Sequence, residues 1–167
     1  IRNKNLLRKI FVENHIEFVI HFAGLKSVIN SGQLPLEYYE NNVLGSLILF
    51  QEMQFAGIKS LVFSSSASVY GNSKLKKCSE NAPLDPVSVY GKTKLIIENI
   101  LKDLYSSDSS WKIINLRYFN PIGAHPSGLL CEDPNLEATN LIPLITKVAQ
   151  GKSEELLIFG GDYNTSD

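Results

Sequence analysis

Short apolar runs alternate along the chain with longer segments in which apolar residues recur every three or four positions. The runs occupy residues 18–22, 61–63 and 112–117, and a further short run occupies residues 156–159. A parallel strand that is buried on both faces has such a run, because neither of its sides meets water. We therefore predict four strands at these positions.

The segments between the runs have the spacing of helices. The first helix begins near Leu6, and three more are predicted over residues 36–56, 89–104 and 141–150. Gly57 ends the second of these, since glycine is common just after a helix. Strands that alternate with helices form βαβ units, so the pattern predicts an α/β fold with a doubly wound parallel sheet and helices on both faces.

Polar or glycine residues follow three of the predicted strands at the point where each strand ends. They are residues 23–26, 64–66 and 118–120. In open parallel sheets, ligands bind at the carboxyl ends of the strands. We expect the functional site there, although Ser64 and Ser65 by themselves are interpreted as an ordinary turn after the strand.

The composition is that of one globular domain, and it excludes several classes of function. The chain has 167 residues, of which 44% are hydrophobic and 20% charged, and its formal charge is −1. It has no basic excess for nucleic acid or a membrane surface. Cys78 and Cys131 lack metal-ligand spacing, and the three histidines lie far apart. We expect no metal, reduced thiols and a cytoplasmic protein.

Tyr90 and Lys94 are the strongest candidates for chemistry. Residues four apart share a helix face, and a fixed ammonium in a partly dry pocket stabilises a phenolate and lowers the pKa of the tyrosine. Tyr70 and Lys74 have the same spacing, but glycine and other turn residues separate them, whereas Tyr90 leads into a regular helix. With Ser66 at the end of the preceding strand, the natural roles are these: Ser66 hydrogen-bonds a substrate hydroxyl, Tyr90 takes its proton, and Lys94 tunes Tyr90 and reaches a cofactor ribose.

This triplet resembles the extended short-chain dehydrogenase/reductase family. Four longer motifs, at residues 21–26, 35–42, 64–71 and 117–128, look like those of its UDP-galactose 4-epimerase branch, and they occur in the same order. The resemblance implies a Rossmann-like NAD-binding domain over residues 1–120. It also implies part of a smaller nucleotide-sugar-binding region over residues 121–167, and a homodimer.

The resemblance also implies which residues bind ligands. NAD would be contacted by Phe22, Ala23, Gly24, Lys26, Asn41, Tyr90, Lys94 and Phe119. The nucleotide sugar would be contacted by Ser66, Tyr90, Asn120, Asn140, Leu141 and Phe159. In the implied reaction, Tyr90 removes the proton of the sugar 4-hydroxyl while hydride leaves carbon 4 for NAD, and the 4-keto sugar turns over before hydride returns.

The chain departs from the family pattern in several places. Val89 stands where proline is usual, Ile29-Asn30 replaces a usual Gly-Glu, and the glycine-rich turn that binds the pyrophosphate lies outside these residues. Together with the first residue, Ile1, this leads us to expect a part of a longer protein.

The sequence argues strongly against only one of three alternative functions. A nucleotide-sugar dehydratase needs an Asp-Glu pair where this chain has Ala67 and Ser68, so elimination lacks its proton donors. Epimerases of UDP-arabinose or UDP-N-acetylhexosamines stay open, as does a non-catalytic fragment that only packs against a partner.

Overall fold

The computed structural model describes residues 1–73, 77–130, 140–158 and 160, and its centre is a three-stranded parallel sheet. Helices connect the strands, as the alternating pattern predicts. In chain order the elements are α1 (Lys4–Glu13), β1 (Val19–His21), α2 (Val28–Gln33), α3 (Pro35–Tyr38), a π-helical segment (Tyr39–Leu44), α4 (Gly45–Phe55), β2 (Ser60–Ser66), a 3-10 turn (Ala67–Tyr70), α5 (Val89–Ser107), β3 (Lys112–Tyr118) and α6 (Leu141–Ala149).

The register of the sheet brings the polar strand ends to one edge. The order is β1-β2-β3, with His21 paired to Phe63 and Ser66 paired to Tyr118. Because all three strands are parallel, the residues that follow them lie on the same side of the sheet. The predicted α/β fold with a Rossmann-like parallel sheet is confirmed.

The long helix predicted over residues 36–56 is one helical run with an interruption. Proline begins α3, and Gly57, with a φ of 74°, follows α4. Between them the π-helical segment widens one turn, which places the side chain of Asn42 inside the protein. Such segments are rare and often occur at functional sites, and the amphipathic pattern alone does not reveal them.

The core lies between the sheet and one layer of helices. Its largest buried side chains come from α4, β2, α5 and the residue before β3, and they are Leu49, Phe50, Met53, Leu61, Phe63, Ile97, Leu101 and Trp111. On the other face of the sheet, Ile20 is 53% exposed and Ile114 is 56% exposed. The helices that the structure describes within residues 1–119 thus leave these two apolar side chains of the sheet exposed.

Two predictions for the last part of the chain have different outcomes. The helix predicted over residues 141–150 is confirmed as α6. Of the strand predicted over residues 156–159, residues 156–158 are not in a strand, and Phe159 lies outside the described residues. A strand needs a hydrogen-bonded neighbour, which an apolar run cannot specify by itself. The sequence also did not predict the short helix α2 or the 3-10 turn.

The chain divides into two compact units, residues 1–119 and 120–167. The first contains the whole sheet and helices α1 to α5, and the second contains α6. Among the helices of the described ranges, none has the length and hydrophobicity that a bilayer span requires.

Candidate active site

Helix α5 carries the predicted Tyr90 and Lys94 to the end of β2. Ser88 caps this helix by accepting a hydrogen bond of 3.0 Å from the backbone N–H of Gly91. A Cβ atom on Gly91 would lie only 2.7 Å from the carbonyl oxygen of Ser68. The absence of a side chain at this position thus lets the first turn of α5 approach the residues that follow β2.

Ser66 and Tyr90 meet at this approach. The Ser66 hydroxyl lies close enough to Tyr90 to lower the pKa of the phenol. It also accepts a hydrogen bond of 3.2 Å from the backbone N–H of Ser68, which caps the 3-10 turn and restrains the rotamer of Ser66. The structure therefore brings together the serine and the tyrosine that the sequence analysis selected. Tyr70, the other candidate tyrosine, is buried below the turn, and Lys74 lies outside the described residues.

The pKa of Tyr90 differs from the sequence-based expectation. Burial raises the pKa of this half-buried phenol, and the hydrogen bond with Ser66 offsets part of the increase. We expected Lys94 to lower it, but the ammonium lies 5.6 Å from the centroid of the Tyr90 ring and is hydrogen-bonded elsewhere. The residues of this chain thus position the phenol without making it more acidic.

Lys94 is almost fully buried, at 4% exposure, and its ammonium is held at the end of β2. Its Nζ donates a hydrogen bond of 2.7 Å to the carbonyl oxygen of Ser64. Burial lowers the pKa of Lys94 to about 8. Burial, reinforced by the nearby Lys94 cation, lowers the pKa of His21 to about 4, so this core histidine is neutral. Lys94 thus places a buried positive charge 5.6 Å from the centroid of the Tyr90 ring.

The loop after β1 is fixed against α5 by the buried Asn42. Its side chain accepts a hydrogen bond of 2.8 Å from the N–H of Leu25, donates one of 3.0 Å to the Leu25 carbonyl, and donates one of 3.3 Å to Thr93 Oγ1. The neighbouring Asn41, which the sequence analysis assigned to the cofactor, is partly exposed and donates to Asn42 Oδ1 at 3.1 Å. Asn42 thus positions the loop, and its place in the sequence did not single it out for this role.

The other predicted cofactor residues surround an open space at the strand ends. Phe22, Ala23, Gly24 and Lys26 follow β1 and are exposed, as is Phe119 after β3. A Cβ atom on Gly24 would lie 3.2 Å from Asn42 Oδ1 and 3.8 Å from Lys94 Nζ. A bare backbone next to a buried ammonium is a suitable surface for the ribose and nicotinamide of a dinucleotide, so these residues fit part of an NAD site.

Apart from Ser66 and Tyr90, the residues assigned to the nucleotide sugar belong to the second unit. Asn120 follows β3, Asn140 is the residue before α6, and Leu141 is the first residue of that helix and 59% exposed. Phe159 is outside the described residues. Their role stays a prediction.

The sequence analysis missed a buried ion pair next to the site. Glu98 is 6% exposed and accepts hydrogen bonds from Arg117 and from the Ser65 hydroxyl. Ser64 and Ser65, which we interpreted as a turn, belong to β2 instead. A usable signal existed, because Glu98 lies four residues after Lys94 and hence on the same buried face of α5.

Known proteins are similar to this chain over its whole length. The family described as "NAD dependent epimerase/dehydratase family" matches residues 1–166. The chain is 52% identical over 167 residues to a UDP-glucose 4-epimerase of Cyamopsis tetragonoloba and 53% identical over 168 residues to that of Neisseria meningitidis. It covers 100% of its own length in both comparisons, but 48% and 50% of the relatives.

A solved structure of a UDP-glucose 4-epimerase is also similar to this chain over nearly its whole length. The UDP-glucose 4-epimerase of Bifidobacterium longum, crystallised with NAD+ and UDP, matches with a TM-score of 0.94 and 47% identity, over 99% of this chain and 50% of that one. The chain thus spans about half the length of the relatives it matches.

Proposed function

Because this chain belongs to the NAD dependent epimerase/dehydratase family, we propose that the whole protein is an NAD-dependent UDP-glucose 4-epimerase, which interconverts UDP-glucose and UDP-galactose. The observation that carries the proposal is the position of Tyr90 between Ser66 at the end of β2 and the buried ammonium of Lys94, which lies 5.6 Å from the centroid of the Tyr90 ring. Relatives of this sequence that bear the name are similar over the whole chain.

We assign a role to each of the three side chains, and their positions support it. Tyr90 accepts the proton of the sugar 4-hydroxyl, and Ser66 hydrogen-bonds the same oxygen and orients it. Lys94 supplies the nearest positive charge for the phenolate, and its position beside Gly24 suits a contact with the ribose. Because burial raises the pKa of Tyr90, a further positive charge has to reach the pocket before the phenol ionises near neutral pH. When bound, NAD supplies the hydride acceptor and donor for carbon 4.

The rival functions have distinct outcomes in one assay. The whole protein is incubated with UDP-galactose, UDP-N-acetylgalactosamine or UDP-arabinose, and the products are separated by chromatography. The proposal is supported if kcat/KM is highest for the conversion of UDP-galactose to UDP-glucose. If kcat/KM is higher for one of the other two substrates, the protein is an epimerase of that sugar instead. Loss of water from the sugar would indicate a dehydratase, which the 3-10 turn opposes because Ala67 and Ser68 supply no carboxylate.

The 167 residues by themselves are expected to bind NAD weakly or not at all. In the family, the pyrophosphate binds to backbone N–H groups of a glycine-rich turn that opens a helix, and residues 1–167 contain no such motif. Titration calorimetry of this segment and of the whole protein under the same conditions measures the difference. Micromolar affinity of the segment alone would contradict this prediction.

We also propose that the whole protein is a homodimer that pairs helices from both subunits. The run from α3 to α4 has exposed apolar side chains although its inner side forms the core: Leu36 is 82% exposed, Leu44 44% and Leu47 37%. Helices that are apolar on more than one side are normally buried against a partner.

Sedimentation velocity at micromolar concentration is expected to show a dimer. Leu47→Glu should shift it to monomer, because a charge would then be buried in the interface. Val12→Glu is the matched control, since Val12 is 69% exposed on α1, and it should leave the dimer intact. A wild-type monomer, or equal behaviour of both variants, would count against this interface.

We place the protein in the cytoplasm and in galactose metabolism as part of the same proposal. Cys78 is a free thiol, and free thiols are usual in reducing compartments.

A further inference from the structure

Glu98 and Arg117 form an ion pair in which every nitrogen of the guanidinium donates a hydrogen bond. Arg117 Nε lies 3.0 and 3.2 Å from the two carboxylate oxygens of Glu98, and Nη2 donates to Oε2 at 2.7 Å. The other guanidinium nitrogen, Nη1, donates to the Tyr70 hydroxyl at 3.1 Å and to the Glu80 carbonyl at 2.9 Å. The carboxylate is thus held in one orientation by a cation that is itself fixed.

This pair joins the three elements that form the candidate active site. Glu98 lies on α5, four residues after Lys94, and Arg117 lies on β3, two residues before Phe119. Glu98 also accepts a 2.5 Å hydrogen bond from the Oγ atom of Ser65, the penultimate residue of β2. Ser65 is 2% exposed, so the connection between helix and strand is protected from water.

The residues on either side of Ser65 contact the predicted catalytic groups. The Ser64 carbonyl accepts the hydrogen bond from Lys94, and the Ser66 side chain lies next to that of Tyr90. A shift of the β2 end relative to α5 would therefore change both contacts at once. Catalysis is sensitive to such shifts, because a displacement of about 1 Å can cost about a hundredfold in rate.

Stability alone does not account for this pair. Removing a carboxylate and a guanidinium from water is costly, and apolar residues of similar size often replace a buried pair with no loss of stability. A charged pair nevertheless gives directional hydrogen bonds, which apolar side chains cannot. We propose that Glu98 and Arg117 are positioning residues, which hold the end of β2 in the register with α5 that places Ser66 against Tyr90 and the Ser64 carbonyl against Lys94.

The inference rests on the proposed epimerase function, and its test uses kinetics of the whole protein. Glu98→Gln is expected to lower kcat for UDP-galactose roughly tenfold to a hundredfold while KM changes less than about threefold, because the substrate contacts remain and only the reacting groups move. Unchanged kcat in this variant would overturn the proposal.

A double variant separates positioning from stability. Glu98→Met combined with Arg117→Met removes both charges, so no unpaired charge is left. The thermal midpoint of this double variant should lie close to that of the wild type, whereas its kcat should stay low. If kcat recovers together with the thermal midpoint, the pair is only structural and the proposal is wrong. This variant also decides the question if Glu98→Gln does not fold.

The chain offers a control in a second ion pair with a buried carboxylate, although Arg8, its partner, is 42% exposed. Glu52 on α4 is 1% exposed and accepts two hydrogen bonds from Arg8 on α1, at 2.6 and 3.0 Å. This pair joins two helices and contacts no strand end. Glu52→Gln should lower the thermal midpoint and leave kcat within about twofold of wild type, and a loss of kcat as large as that of Glu98→Gln would contradict a specific role for Glu98.

A second readout does not depend on the reaction. Hydrogen exchange of the amides of residues 64–66, measured under native conditions, should be about tenfold faster in Glu98→Gln and in the double variant, and unchanged in Glu52→Gln. If the wild-type protein converts none of the UDP-sugars, the proposed function fails, and this exchange still tests the positioning. Equal exchange in all variants would refute it.

Discussion

Tyr90→Phe is expected to lower the turnover of UDP-galactose in the whole protein by roughly 10² to 10⁴, or about 3 to 5 kcal/mol of barrier, because the general base is lost. The substitution removes one oxygen and keeps the ring. Packing around the half-buried residue should therefore survive, and the thermal midpoint should change little. The conversion of UDP-galactose to UDP-glucose is measured by steady-state kinetics.

Tyr70→Phe is the matched control for this prediction. The Tyr70 hydroxyl accepts a hydrogen bond from Arg117, and the guanidinium carbon lies 5.1 Å from the centroid of the ring. The substitution keeps the ring, and Arg117 keeps its bonds to Glu98 and Glu80, so the loss is about 1 kcal/mol of stability with nearly normal turnover. An inactive Tyr70→Phe and a normal Tyr90→Phe would show that we chose the wrong tyrosine.

Lys94→Met is expected to reduce turnover on the same scale and also to weaken retention of NAD. The thioether side chain has a similar length but carries no charge, so the phenolate of Tyr90 loses its nearest cation and its pKa rises further. The predicted ribose contact is lost as well. Turnover and the amount of NAD that copurifies with the protein are both measured, because a purely electrostatic role would leave the second unchanged.

The buried ammonium gives Lys94 a distinctive dependence on pH. Because burial lowers its pKa to about 8, the folded state releases a proton that the unfolded state keeps up to the ordinary value of 10.5. The wild-type protein therefore gains stability relative to Lys94→Met as the pH rises from about 8 to 10.5, and below pH 8 it bears the full cost of the buried charge. Urea unfolding of both proteins across this range measures the difference.

Lys92→Met is the control for Lys94→Met on the same helix. Lys92 is exposed, only two residues earlier, and it faces away from the sheet. The substitution Lys92→Met should leave turnover, NAD retention and the dependence of stability on pH unchanged. If both lysine variants behave alike, the effect of Lys94 is a general charge effect and not one of its position.

The sequence by itself determined the order of the elements and the catalytic candidates. Apolar runs and helical spacing located β1, β2, β3, the helical run from α3 to α4, and helices α5 and α6, because period and length are properties of the chain alone. The turn residues after Tyr70 separated it from Tyr90. Several long motifs also indicated the family, which the comparisons confirm.

The tertiary structure alone decided how those residues are arranged. The π-helical segment turned Asn42 inward, the close approach at Gly91 joined Ser66 to Tyr90, and burial raised the pKa of Tyr90 where a neighbouring lysine had suggested a decrease. Glu98 became the partner of Arg117 across 19 residues of sequence. Hydrogen-bond partners and desolvation depend on distances between segments that are remote in the chain, and local patterns contain no such distances.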